Sequence, residues 1–140
     1  MENAEEVLEA LDEVHTWAWQ HFRYVPDTER WKNDPFLWIG EHWETREEIN
    51  KDLATQGYVS GDCDAFAMMC WMELRKNNIK SRLVFCKVNG EGHLVVEHEG
   101  WILDNRFGEV MSNTFLEKHE GYKFLAKSGY EPNEEWTTNA

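Results

Sequence analysis

The chain has 140 residues, enough for one domain (residues 1–140) with a real core, and its formal net charge is −13. Lys and Arg total 14 against 27 Asp and Glu, which excludes a nucleic-acid footprint and attraction to an anionic membrane surface. Three cysteines form no paired framework and no C-x-x-C spacing, so the chain reads as a protein of a reducing compartment with free thiols.

The N-terminal stretch to Glu13 is acidic and has no apolar h-region, and no run reaches transmembrane length. The expectation is a cytoplasmic protein. Residues 4–25 place Ala4, Val7, Leu8, Leu11, Val14, Ala18, Phe22 and Val25 on one stripe, predicting a long amphipathic helix ended by Pro26-Asp27. Residues 27–43 read as an irregular segment rich in tryptophan. Thr45 with Glu48 predicts a capped helix through Leu53, broken by Gly57.

The next stretch organises the chain. Ser60-Gly61-Asp62-Cys63 leads into apolar positions Phe66, Ala67, Cys70, Trp71 and Leu74 at helical spacing. Ser60 or Asp62 is the cap candidate. Cys63 therefore opens a helix, where unpaired N–H groups and the helix dipole favour a thiolate, the nucleophilic form. The helix ends near Asn77-Asn78. Residues 82–88 are apolar on both faces and predict a central strand. Asn89-Gly90 turns into a strand over 93–97, and Glu99-Gly100 turns into a third over 101–105. A short helix near Phe115 to His119 precedes a polar tail expected to fray. The fold class is α+β: helices first, then a small antiparallel meander packed on the Cys63 helix.

Strand alternation tests whether a histidine and a carboxylate meet. With Glu99-Gly100 as a two-residue loop, His98 opposes Trp101 and Val95 opposes Asp104. His93 is then the diagonal neighbour of Asp104 on the same face, within reach of its side chain. By the same parity His98 points elsewhere. Cys63, His93 and Asp104 form a nucleophile, base and orienter set. Cys70 and Cys86 read as core. His15, His21, His42, His98 and His119 read as structural or solvated.

These residues resemble the bacterial transglutaminase-like cysteine proteinases, within the papain-like and transglutaminase-like superfamily. The likeness runs through Trp43-x-Thr45 with Glu47 or Glu48, then Gly61-Asp62-Cys63-Asp64, His93 and Leu103-Asp104-Asn105. It implies a papain-like fold and a Cys-His-Asp triad at Cys63, His93 and Asp104. It also implies thiol hydrolase or acyl-transfer chemistry on a peptide or protein substrate. Many such proteins bind calcium through acids near the cysteine, which makes Asp62 and Asp64 the metal-ligand candidates here, though Ala65 withholds one carboxylate. No cofactor is required by the triad chemistry. The alternative is a binding or structural protein on the same fold that keeps the triad without turnover.

Overall fold

The computed structural model describes residues 4–24, 49–51, 53–61, 63–130 and 136–138. The segment rich in tryptophan, the Trp43-x-Thr45 stretch, Glu47, Glu48 and Asp62 lie outside the described residues. The architecture is α+β, as the sequence pattern predicts. Helix α1 spans Ala4–Gln20, and strands β1 (Phe22–Tyr24) and β2 (Val59–Gly61) form a short parallel pair. Residues 49–51 and 53–56 are helical. Helix α2 spans Cys63–Lys76. Strands β3 (Arg82–Val88), β4 (Glu91–His98), β5 (Trp101–Leu103) and β6 (Met111–Ser112) follow. Helix α3 (Asn113–His119), strand β7 (Tyr122–Lys127) and strand β8 (Thr137–Thr138) complete the described chain. No described helix is long and apolar enough to cross a membrane.

The sheet is antiparallel with order β6-β5-β4-β3-β7-β8. Period-2 alternation divides it into two apolar faces. Leu83, Phe85, Leu94, Val96 and Leu103 join the core of α1 and α2. Val84, Cys86, Val88, Val95 and Ile102 face the other way, under Leu116 of α3 and Tyr122 of β7. Helix α2 is buried more widely than its apolar stripe suggests, because Met68 and Met69 are enclosed along with Phe66, Cys70 and Trp71. Its end is a Schellman turn: Ile79 N–H donates to Leu74 O, Asn78 N–H donates to Arg75 O, and Asn78 takes φ 58°.

Three expectations change. Helix α1 stops at Gln20, short of residue 25. The His21 ring N–H donates to Trp17 O, and Val59 N–H then takes His21 O at 2.7 Å, so pairing with β2 draws the chain into a strand. The strand after Gly100 ends at Leu103, because the Asp104 carboxylate accepts the Arg106 N–H at 3.1 Å and closes a turn. The polar tail is no frayed end over residues 122–127, which pair with β3 as β7.

Gly61 ends β2 two residues before Cys63 opens α2. A Cβ there would lie 2.6 Å from Ala65 Cβ in the first turn of α2. That neighbour is fixed on a helix and cannot rotate away. Gly61→Ala should therefore cost about 1–3 kcal/mol by overpacking. Urea unfolding of the variant checks this, and an unchanged midpoint would show the junction to be slack.

Candidate active site

The site is assembled from elements distant in the chain. Cys63 sits at the first position of α2, buried to 4 % exposure, and faces a cleft of about 620 Å³. Tyr24, His93, Asn105 and Arg106 line the same cleft. Burial alone would read as a structural thiol, but the cleft gives this one an approach.

The β-sheet register is the one that parity predicts. His98 opposes Trp101, Glu97 opposes Ile102 and Val96 opposes Leu103. Continuing that register brings Asp104 onto the His93 face. His93 Nε2–H donates to Asp104 Oδ1 at 2.6 Å, and Cys63 lies close enough to the His93 ring to favour its charged form. With Nε2 committed to the carboxylate, Nδ1 is the nitrogen left for proton exchange with the thiol. The three residues that the sequence groups as a triad are thus contiguous. His98 instead donates its Nδ1–H to Lys80 O, away from the cleft.

Asp104 is 1 % exposed, and a buried carboxylate must be paired and hydrogen-bonded to stay charged. Its partners close that requirement. Oδ1 accepts from His93 and from the Arg106 N–H, and Oδ2 accepts from the Tyr122 hydroxyl. Arg106 Nη1 donates in turn to the Tyr122 oxygen at 3.0 Å. The Asp104 carbonyl accepts His15 Nε2–H at 2.9 Å, which anchors the turn to α1. Tyr122 also stands edge-on to the His93 ring, with centroids 6.1 Å apart.

Burial works against a charged His93. The adjacent Asp104 charge, the hydrogen bond to Asp104 and the contacts with Cys63 outweigh it and push His93 up to about 10. At neutral pH the ring is an imidazolium. Burial likewise opposes ionisation of Asp104, yet the His93 charge and the hydrogen bonds from His93, Tyr122 and Arg106 hold its carboxyl below the usual range. Tyr122 is raised well above a free phenol, by burial and then by Asp104, so it remains a donor. Burial, then the Asp104 charge, pushes the Cys70 and Cys86 thiols up. Both sit in the core, as the sequence reading has them.

Two residues of this network carry no role in the sequence reading. Arg106 lies two positions after Asp104, where a turn-closing N–H is a recognisable signal. Tyr122 lies in the stretch read as a polar tail. Its short Tyr122-Lys123-Phe124 alternation is the available signal. His15, read as structural, is buried and does hold the Asp104 turn.

Of the calcium candidates, Asp62 lies outside the described residues and Asp64 occupies the first turn of α2. Calcium takes about six to eight oxygen ligands. Among the described residues no group of three or more His, Cys, Asp or Glu side chains converges to hold a metal.

No family model matches the sequence, and neither a curated protein nor a solved structure matches it.

Two outcomes follow from the network. Because the His93 pKa is raised from 6.5 to about 10 in the folded protein, its contribution to stability is complete below pH 6.5 and is lost as pH rises through 10. Unfolding free energy measured in urea should fall across that window, and His93→Gln should remove that component of the decline. A variant that loses stability over the same window as the wild type would refute the charged imidazole. Tyr122→Phe leaves Asp104 Oδ2 without its donor and should cost about 1–3 kcal/mol in the same assay.

Proposed function

We propose that the protein is a thiol hydrolase acting on a peptide or amide-type acyl bond, with Cys63 as nucleophile, His93 as proton carrier and Asp104 as its orienter. The observation that carries this reading is the 2.6 Å His93–Asp104 contact beside a cysteine that opens a helix in the same cleft. The finer fold reading is a papain-like or transglutaminase-like one, supported by a nucleophile helix packed on an antiparallel sheet that supplies the histidine.

In this scheme the Cys63 sulfur attacks the substrate carbonyl carbon, forming a C–S bond while the carbonyl π pair moves to oxygen. The Cys63 backbone N–H, without an intrahelical acceptor at a helix start, stabilises that oxyanion. Collapse breaks the C–N bond, and the departing amine takes the proton held on His93 Nδ1. Water then attacks the thioester, His93 accepts its proton, and the acid leaves with Cys63 restored as thiolate. An amine in place of water gives transamidation by the same steps. Asp104 fixes the ring so that Nδ1 faces the sulfur, and it stabilises the imidazolium. All three cysteines are free, which suits a reducing compartment such as the cytoplasm.

Iodoacetamide at neutral pH should alkylate Cys63 well before Cys70 and Cys86, read by peptide mass spectrometry. Faster labelling of either core thiol would sink the assignment. Against a panel of peptide amides, Cys63→Ala and His93→Ala should abolish turnover and Asp104→Asn should lower it by less, whereas His98→Ala should stay near the wild-type rate. A reactive Cys63 with no turnover of any amide would favour the silent binding protein.

A further inference from the structure

We infer that a second recess, opening beside the nucleophile, receives a large aromatic or apolar side chain of the acyl donor; this rests on the thiol-hydrolase reading above. The recess measures about 320 Å³ and is lined by Trp19, Phe22, Tyr24 and Asn105. Tyr24 and Asn105 also line the cleft that holds Cys63 and His93, so the two hollows share a wall. Two of its rings are unusually open for their type: Trp19 is 45 % exposed and Tyr24 is 56 % exposed. An exposed large apolar surface next to a reactive group marks a binding surface.

These rings are mounted on the same frame as the site. Trp19 stacks on His15 with centroids 5.8 Å apart, and His15 holds the Asp104 carbonyl. Phe66 meets Trp19 edge-on at 6.5 Å and Phe22 edge-on at 5.3 Å. Phe66 follows Cys63 by three residues in α2, so the ring platform stands about 4.5 Å from the nucleophile along the helix. Among the described residues the recess lining carries rings and one carboxamide and no charged side chain. That chemistry suits a neutral aromatic or large aliphatic group. A charged side chain placed there would lose its hydration without gaining an ion partner from the described lining.

The test uses chloromethyl ketones of N-acetyl-phenylalanine and N-acetyl-alanine on the full chain, with iodoacetamide as the probe that lacks a side chain. In each ketone the Cys63 thiolate displaces chloride: the C–S bond forms, the C–Cl bond breaks, and chloride leaves with the electron pair. The phenylalanyl ketone should label Cys63 about tenfold faster than the alanyl one, the size expected for burying much of an aromatic ring. Trp19→Ala and Tyr24→Ala should each cut that ratio several-fold. If Trp19→Ala fails to fold, Tyr24→Ala carries the comparison. Equal ketone rates in the wild type, with Cys63 still the first thiol taken by iodoacetamide, would overturn the recess and leave the hydrolase reading standing. An undiminished ratio in Tyr24→Ala would also overturn it. Failure of iodoacetamide to single out Cys63 would overturn the hydrolase reading, and this inference with it.

Discussion

A carboxylate buried as deeply as Asp104 is unstable unless every part of the surrounding structure is arranged around it. Moving an isolated carboxylate out of water costs more than a domain of this size has to spare, so the group must either be neutralised or meet a cation and donors. Here it meets an imidazolium, a backbone N–H and a phenol. Those donors come from β4, from the turn after β5 and from β7. A helix, α1, holds the same residue through its carbonyl. Satisfying one side chain thus ties together elements far apart in the chain, including His15 and Tyr122.

The same requirement orders the proposed chemistry. A histidine with both ring nitrogens free could present either one to the thiol. Committing Nε2 to Asp104 leaves Nδ1 as the nitrogen for the proposed proton transfer, and the carboxylate charge favours the protonated ring. Tyr122 and Arg106 do not touch the Cys63 sulfur through these bonds. They act by keeping Asp104 charged and in place. The strand-to-helix junction does the complementary task for the thiol. Gly61 lets β2 run against the first turn of α2 with no Cβ between them, so Cys63 begins its helix at a fixed distance from the sheet.

Burial separates the thiols more sharply than their chemistry does. Cys70 and Cys86 are enclosed on opposite faces of the sheet, where low polarity and the Asp104 charge favour the protonated form. Cys63 is nearly as enclosed by area, but it borders a cleft that also holds His93. What distinguishes the proposed nucleophile is therefore access and a partner, rather than exposure.

Much of the site was legible in the sequence because its determinants are local and periodic. Helical spacing after Cys63, the Asn89-Gly90 and Glu99-Gly100 turns, and the alternation between them suffice to put His93 and Asp104 on one face, since a two-residue loop leaves only one parity. The two turns do take positive φ, at Asn89, Gly90, Glu99 and Gly100. Other features needed the tertiary structure. The pairing of β1 with β2 joins segments distant in sequence, each too short to show a period. Strand β7 hides its alternation because a bulge opposite Phe85 and Cys86 leaves Leu125 as an extra residue, so Tyr122 and Phe124 face one side and Ala126 the other. Nothing in the order of residues sets how deeply Asp104 is buried, and hence that it needs Tyr122. Burial is a property of the packed whole, and only the folded chain decides which donors lie close enough to answer it.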